Sequence, residues 1–331
     1  MDERRPSLDP AVAEVRRAVR RALEGRAPGS TVVVGLSGGA DSLALAAATA
    51  FEAPKLDLRV VAVTVDHGLQ QGSADAAASA AAQAERLGLE AWVVRVEVGA
   101  DGGPEAAARA ARYRALRDAA RDLGATAVLV GHTLDDQAET VLLGLARGSG
   151  GGSLQGMAAE SDLDGVALLR PLLDVRRETT RVACAAEDLA PWDDPHNLDP
   201  RYARVRVRTA VLPVLEAELG PGIAEALART ATQLREDAEA FDEMIDETIE
   251  DIVEHAEAGI SVSVAALAAN PAALRHRIIR HVVASEFHQS LTRTQTLEVA
   301  RLVTDWTGQG PIDLPGCRAR RVGGRIEFTA R

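Results

Sequence analysis

The residues best suited to chemistry form the run Ser37-Gly38-Gly39-Ala40-Asp41-Ser42, which follows the apolar segment Thr31 to Leu36. That β-branched segment is typical of a buried strand, and an alanine-rich helix is predicted to begin at Ser42. Adjacent glycines adopt backbone angles that other residues avoid, so a ligand can lie against the main chain. The first N–H groups of the helix lack partners within it and can receive an anion. The run therefore predicts a loop that holds phosphate or pyrophosphate, with a plain glycine turn as the alternative.

Two better-known phosphate loops do not fit this run. The P-loop of NTPases needs a lysine before its serine or threonine, but here Asp41 precedes Ser42, and Lys55 is the only lysine in the chain. The dinucleotide-binding fingerprint needs the spacing Gly-x-Gly-x-x-Gly, which the run lacks. An aspartate in a phosphate loop repels its ligand unless a cation or a positively charged substrate shares the site. A site for both a phosphate and a positive charge is therefore expected.

Polar residues also follow the next predicted strand, Leu58 to Val65. Asp66 and His67 come directly after it, and ligands of open parallel sheets bind beyond the carboxyl ends of the strands. These two residues are therefore expected on the same sheet edge as the glycine loop. A simple strand-end turn is the alternative, because Asp and Gly favour turns.

A third polar cluster follows the strand predicted from Thr126 to Val130. It begins with His132 and Thr133, and it continues with Asp136 and Glu139 on one face of a helix. Clustered carboxylates beside a phosphate site are suited to holding Mg²⁺ or a cationic amine. A well-capped helix with an acidic first turn is the alternative, which accounts for Thr133 and Asp136 but poorly for His132 and Glu139.

A helix predicted from Pro104 to Leu123 carries arginines whose role the residues alone leave open. Glu105, Arg109 and Tyr113 follow one another at four-residue intervals, so a surface ion pair is one explanation. The other is that Arg109 or Arg112 is presented to a phosphate or to a substrate carboxylate.

The segment RYARVRVR has a high density of positive charge beside Tyr202. Arginines at this density with an aromatic residue suit contacts to an RNA backbone, and a helix start with solvated arginines is the alternative. The candidate RNA-binding residues are Arg201, Arg204, Arg206 and Arg208.

Composition restricts the class of protein. The chain has 331 residues, 47% of them hydrophobic and 26% charged, as expected of a globular protein with about two domains. It has no apolar run long enough to cross a bilayer, and the N-terminal MDERRPSLDP lacks the apolar core of a signal peptide. Cys184 and Cys317 are far apart in sequence, which favours a reduced, cytoplasmic protein. The net charge of -12, taken alone, argues mildly against binding nucleic acid.

The predicted fold class is α/β, a doubly wound parallel sheet with a second, smaller and mostly helical domain. Residues 1–215 are expected to form the nucleotide-binding domain, and residues 216–258 a connecting helix whose outer face is acidic. Residues 259–331 are expected to form a small C-terminal domain that ends in a hairpin, since two short strands flank Gly323-Gly324.

Taken together, the motifs resemble those of the tRNA(Ile)-lysidine synthetases, a family within the PP-loop (N-type) ATP pyrophosphatases. The likeness runs from about Thr31 to Leu215 and rests on SGGADS, VDHG, EAAARAARY, GHTLDDQAETVLLGLARGSG, RPLL and DDPHNLDPRYARVRVRTAVLPVL, in that order. It implies an adenine-nucleotide α-hydrolase-like fold and a reaction in which ATP adenylates the wobble cytidine, position 34, of tRNA(Ile) with a CAU anticodon. Free L-lysine then displaces AMP. Some members carry a further C-terminal domain, and this chain is expected to end after one small domain.

The resemblance also implies roles for individual residues. Asp41, Asp136, Glu139 and Arg112 would be catalytic, and Asp41 and Asp136 would hold Mg²⁺. The ATP-binding set would be Ser37, Gly38, Gly39, Ala40, Asp41, Ser42 and Asp66, with His67 and His132 as second choices. The tRNA would be bound by Arg201, Arg204, Arg206 and Arg208 and by the small domain of residues 259–331. The other partner considered is a second copy of the chain, as a homodimer, and no membrane partner is expected. The alternatives are a 2-thiocytidine-type PP-loop enzyme, which would be expected to need paired cysteines, and a non-catalytic nucleotide sensor.

Overall fold

The computed structural model describes residues 8–68, 72–99, 103–148, 151–256 and 259–331. Contacts divide the chain into two compact units, one up to Leu234 and one from Arg235. The three-part division predicted from the sequence stays a prediction, and residues 257–258 of its connecting helix lie outside the described residues.

The first unit alternates strands with helices, as the sequence predicts. Its strands are β1 (Thr31–Gly35), β2 (Arg59–Asp66), β3 (Glu90–Arg95), β4 (Ala125–Leu129), β5 (Glu160–Leu163) and β6 (Val166–Leu169). Its helices begin with α1 (Pro10–Leu23), α2 (Ala40–Glu52), α3 (Ser73–Arg86), α4 (Pro104–Asp122), α5 (Leu134–Ala146) and α6 (Gly151–Leu154). They continue with α7 (Arg177–Ala186), α8 (Ala203–Arg206), α9 (Leu212–Leu219) and α10 (Ile223–Ile252), which runs on into the second unit.

The strands form one sheet in the order β3-β2-β1-β4-β6-β5. All neighbours pair in parallel except β5, which is antiparallel to β6. The chain winds outward from β1 to β3 and then returns to β4 on the other side of β1. This confirms the predicted doubly wound fold, and it places the switch point, where such sheets bind ligands, between β1 and β4.

Both faces of this sheet are buried. On one face, Val32 and Val34 pack in a core with Leu43 and Leu45 of α2. On the other, Val33 packs in a second core that includes residues of α4. Strands buried on both sides read as continuous apolar runs, which is why β1 and β2 were recognisable from sequence.

A buried glutamate forms ion pairs at the carboxyl end of α2, the end far from the glycine loop. Glu52 is 1% exposed, and it pairs with Arg20 at 2.9 Å and with Lys55 at 3.1 Å. The Lys55 ammonium also lies 3.6 Å from the centre of the Phe51 ring. These contacts fix the single lysine of the chain in a structural position.

The second unit combines the end of α10 with three helices and an antiparallel sheet. The helices are α11 (Val264–Ala269), α12 (Ala272–Phe287) and α13 (Arg293–Thr304). The strands are β7 (Val253–Ala256), β8 (Gly259–Ser263), β9 (Ile312–Leu314), β10 (Cys317–Val322) and β11 (Arg325–Ala330).

The order of these five strands is β7-β8-β11-β10-β9. The predicted hairpin is confirmed as β10 and β11, joined through Gly323 with φ 56°. The other three strands were not predicted from the sequence, and the predicted connecting helix ends at Ile252, directly before β7. In the described part of the chain, every helix is too short or too polar to cross a membrane.

Candidate active site

A cleft of about 860 Å³ opens at the switch point of the first unit. Its wall includes the residues that follow β1, β2 and β4, together with parts of α4, α7 and the segment after α7. Among the residues predicted from sequence, those that line it are Ser37, Gly39, Ala40, Asp41, Ser42, Asp66, His67, Arg112, His132, Asp136, Arg204 and Arg208. The other predicted residues, Gly38, Glu139, Arg201 and Arg206, lie outside its lining.

The glycine loop turns sharply from β1 into α2. Gly38 has φ 84°, in the left-handed region that favours glycine. The Ser42 hydroxyl donates to the Gly39 carbonyl at 2.9 Å and accepts from the Ser37 N–H at 3.2 Å. Gly39 occupies the N-cap of α2 without a side chain that could bond the first-turn N–H groups. This end of α2 is therefore suited to receive a phosphate.

The loop after β4 packs directly on the start of α2. A Cβ added at Gly131 would lie 2.9 Å from the carbonyl carbon and oxygen of Asp41. Only glycine allows this approach without a shift of the backbone. Gly131 lines the cleft but was given no role from sequence, although a glycine directly after a strand at this edge was the available signal.

Asp136 is held in one orientation by the start of α5. Its Oδ2 accepts hydrogen bonds from the Thr133 N–H and hydroxyl, both at 2.9 Å, in a capping box. Its Oδ1 is left to accept from the Arg177 guanidinium at 2.8 Å. The capping arrangement predicted from sequence is confirmed, and the same carboxylate also faces the cleft.

Arg177, the first residue of α7, joins the acidic groups of the site. Its guanidinium lies 2.8 Å from Asp136, 3.1 Å from Glu139 and 3.6 Å from Asp41. Burial alone would lower the pKa of Arg177, but the surrounding carboxylates raise it above its ordinary value. No role for this arginine follows from the sequence alone, because its partners are up to 136 positions away in the chain.

Glu139 lies beneath the cleft, with no exposed surface, and forms ion pairs with arginines from two other segments. Arg208 binds it with two nitrogens, at 2.7 and 3.1 Å. Arg177 approaches it to 3.1 Å and Arg204 to 3.8 Å. The predicted catalytic role of Glu139 stays a prediction, and this geometry suits a residue that holds arginines in place.

Asp41 and Asp136 have pKa values shifted in opposite directions. Burial raises the pKa of Asp41, while a hydrogen bond from the Thr180 hydroxyl opposes the shift and the charge of Asp136 adds to it. Burial would also raise the pKa of Asp136, but the charge of Arg177 and the Thr133 N–H lower it below its ordinary value. Divergent environments for neighbouring carboxylates are typical of functional sites.

His132 and two arginines of α4 also line the cleft. Burial lowers the pKa of His132 to about 3, and the charges of Arg109 and Arg112 add to the effect while Asp136 opposes it. The imidazole is therefore neutral, and its Nδ1 is buried with no hydrogen-bond partner in the described part of the chain. Arg109 and Arg112 both line the cleft, which favours a ligand-binding role for them. The side chain of Glu105 lies outside what the structure describes.

The segment after α7 is tied across the glycine loop. The Trp192 N–H donates to the Gly38 carbonyl at 2.9 Å. The Gln83 side chain bonds both backbone groups of Ala190, at 3.0 and 2.9 Å. Trp192 and Tyr202 consequently line the cleft. Aromatic rings beside arginines suit an unstacked nucleobase.

The four arginines of the RYARVRVR segment divide into two pairs. Arg204 and Arg208 line the cleft. Arg201 is paired with Asp199 at 2.6 Å with its side chain 80% exposed, and Arg206 donates to the Pro200 carbonyl at 2.7 Å. Arg204 and Arg208 are therefore better placed than Arg201 and Arg206 for the predicted binding of tRNA.

The donor set of the cleft fits Mg²⁺ only in part. Mg²⁺ usually takes one or two carboxylates and completes its shell with water and substrate phosphates. Asp41 and Asp136 offer two such carboxylates on the cleft wall. Within the described ranges, no group of three or more His, Cys, Asp or Glu residues could hold a metal ion. A Mg²⁺ ion here would therefore depend on phosphate oxygens as well.

Comparison with known proteins agrees with this architecture. The family described as PP-loop domain matches residues 12–215, and the TilS substrate binding domain matches residues 263–327. The U34-tRNA thiolase NcsA from Methanococcus maripaludis has a similar fold, with a TM-score of 0.58 and 22% identity over 68% of this chain and 80% of that one.

Curated relatives are similar over nearly the whole chain. The tRNA(Ile)-lysidine synthase of Leifsonia xyli subsp. xyli is 60% identical over 91% of this chain and 90% of its own length. That of Thermobifida fusca is 51% identical over 97% of this chain and 98% of its own. The chain belongs to the tRNA(Ile)-lysidine synthase family.

Proposed function

We propose that this enzyme uses ATP to join lysine to C2 of the wobble cytidine, position 34, in tRNA(Ile) with a CAU anticodon. The products are lysidine in the tRNA, AMP and pyrophosphate. The observation that best supports this is the cleft at the β1–β4 switch point. It combines an anion-binding helix start with cleft-facing carboxylates, as a reaction of ATP with a cationic substrate requires.

In the first step, the cytidine O2 attacks the α-phosphorus of ATP and pyrophosphate leaves. The loop from Ser37 to Ser42 and the N-terminus of α2 would bind the phosphates, and Arg109 or Arg112 would offset the charge that develops. Mg²⁺ bound by the ATP phosphates, with Asp41 as its protein ligand, would neutralise phosphate charge and leave Asp136 for the second substrate. Such a transfer needs positioning and charge neutralisation more than a covalent protein intermediate.

In the second step, an amino group of lysine forms a bond to C2 as the C2–oxygen bond to AMP breaks and the amine loses a proton. Asp136, ionised at neutral pH by its surroundings, would bind positive charge on the substrate. Arg112 is available on the wall for the substrate carboxylate. The neutral His132 leaves that wall without a further positive charge.

For tRNA binding, we propose Arg204 and Arg208 at the cleft, with Tyr202 beside them. In the second unit, the basic hairpin is largely paired, since Arg318 binds Asp313 at 2.8 Å and Arg320 binds Glu327 at 2.8 Å.

The α12–α13 face of that unit is better suited to phosphates. Burial and neighbouring arginines, Arg293 among them, lower the pKa values of His276 and Arg280, so cations are concentrated there. We propose this face as the RNA contact of the second unit.

Two alternatives are less well supported. A thiolase with a cysteine-bound cluster needs cysteines that meet, whereas Cys184 is buried in the first unit and Cys317 in the second. A nucleotide sensor has no use for the network of Asp136, Glu139 and Arg177 beside the phosphate loop.

The test is pyrophosphate release from ATP with and without lysine and an unmodified CAU-anticodon tRNA(Ile). Release that requires this tRNA, with radiolabelled lysine incorporated into it, would establish the proposal. Pyrophosphate release without incorporation of lysine would support the adenylating step but exclude lysine as the second substrate. No release would favour the sensor. Light scattering on the same preparation would test the possible homodimer.

A further inference from the structure

Asp136, which is proposed to bind the substrate amine, is already paired with a cation of the protein, and its neighbour Asp41 faces the same cation. Asp136 Oδ1 is 2.8 Å from Arg177 Nη2, and Asp41 Oδ2 is 3.6 Å from Arg177 Nε. The other oxygens of the two groups are used elsewhere, because Asp136 Oδ2 accepts from Thr133 and Asp41 Oδ1 accepts from Thr180. A substrate ammonium therefore meets carboxylates whose remaining oxygens face Arg177, with Arg208 Nη2 farther away, 3.5 Å from Asp136 Oδ1.

The position of Arg177 allows its side chain to move without its backbone. Its N–H donates to Asp135 Oδ2 at 2.8 Å, which fixes the start of α7 independently of the guanidinium. The side chain is 17% exposed and lines the cleft, so it borders open space. A long, flexible side chain on a fixed helix end can exchange one set of partners for another.

The charges favour exchange over simple addition. Glu139 keeps Arg208 at 2.7 Å even if Arg177 leaves, so the most deeply buried carboxylate stays paired. Asp136 would keep only Arg208, at 3.5 Å, and Asp41 would lose the Arg177 cation, and a weakly paired carboxylate that is largely buried is costly. Only a ligand that supplies its own positive charge can take the place of Arg177 without this cost.

We propose that Arg177 is a resident cation that occupies the amine position of the free enzyme and is exchanged for the ammonium of the amino-acid substrate. This inference rests on the proposed function, since it takes lysine as that substrate. Arg177 thereby sets both the affinity for lysine and the requirement for a positive charge. The competing explanation is that Arg177 stays in place and only orients Asp136.

The experiment compares Arg177→Ala with Arg176→Ala and the unaltered enzyme, at saturating ATP and tRNA and fixed Mg²⁺. Arg176 is the matched control, because it neighbours Arg177 but pairs with Asp135 and Glu225 outside the cleft lining. Lysine incorporation is measured against lysine concentration. If the resident state holds about 90% of the free enzyme, its removal lowers the KM for lysine about tenfold.

Guanidinium chloride at low millimolar concentration provides a second readout. In Arg177→Ala it should compete with lysine by filling the vacated position, and in the unaltered enzyme and Arg176→Ala it should not. A raised KM for lysine or a lost kcat in Arg177→Ala, restored by guanidinium, would instead show that Arg177 orients Asp136 and would overturn the proposal.

A measurement on the unaltered enzyme covers the case in which Arg177→Ala does not fold. The ¹⁵Nε–Hε signal that disappears in Arg177→Lys belongs to Arg177, and it should shift on addition of lysine. An unchanged signal under conditions in which lysine is incorporated would refute the exchange. Failure of the proposed function is distinct, since the unaltered enzyme would then incorporate no lysine at all.

Discussion

Glu139→Gln is the substitution whose consequence the structure defines most sharply. Glutamine keeps the volume of glutamate, so it leaves no cavity, but it removes the charge that Arg208 and Arg177 share at 2.7 and 3.1 Å. Removing one partner of a buried ion pair costs about 3–5 kcal/mol. The two arginine side chains are 27% and 17% exposed and keep some hydration, so the lower limit, about 3 kcal/mol, is expected.

For a domain the size of the first unit, about 3 kcal/mol corresponds to a fall in Tm of roughly 6–12 °C. Thermal unfolding followed by circular dichroism measures it, with Glu218→Gln as the control because Glu218 is exposed. A Glu139→Gln variant that melts within about 2 °C of the parent but has a raised KM for lysine would refute this reasoning. Glu139 would then act as a substrate ligand and not as a support for arginines.

Three further outcomes are expected. Asp41→Asn should abolish pyrophosphate release while tRNA affinity stays unchanged. Its Tm should be equal or higher, because folding raises the pKa of Asp41, so the ionised carboxylate destabilises the folded state at neutral pH. This destabilisation disappears as the pH falls through the raised pKa and the carboxylate becomes protonated. A lower Tm of Asp41→Asn at neutral pH would contradict this. Gly131→Ala should cost about 1–3 kcal/mol in urea unfolding and raise the KM for ATP, because the new methyl group meets the Asp41 carbonyl at 2.9 Å. Arg280→Gln combined with Arg293→Gln should lower the slope of log K against log salt concentration for tRNA binding by about two, the loss of two phosphate contacts. Filter binding measures this slope. Arg320→Gln, whose guanidinium is paired with Glu327, should change it less, and equal effects would argue against the α12–α13 face.

Features specified by short stretches of sequence were predictable. The strand, glycine turn and helix around Gly38 depend on neighbours in the chain, and so does the capping box of Thr133 and Asp136. The edge of the sheet at which the polar clusters meet also followed, because parallel strands end on a common side.

Features that depend on distant partners were not predictable. The neighbours of Arg177 in the sequence do not distinguish it from other arginines, because its pairing is with a carboxylate 41 residues earlier. The burial of Glu139 beneath the cleft could likewise not be predicted, because it depends on where Arg204 and Arg208 lie in the folded chain. In the second unit, β8 pairs with its neighbour β7 and also with β11, which is more than sixty residues away, and no local pattern signals the second pairing.

The placement of Lys55 has a chemical consequence for an enzyme that generates an electrophile awaiting an amine. The helix α2 has 13 residues and is about 20 Å long, so the chain's one side-chain amine sits a helix length away from the phosphate loop. Arginines supply positive charge around the cleft, and a guanidinium that stays protonated is a poor nucleophile. The enzyme is thereby protected from capturing its own activated cytidine, and the amine that reacts has to arrive from solution.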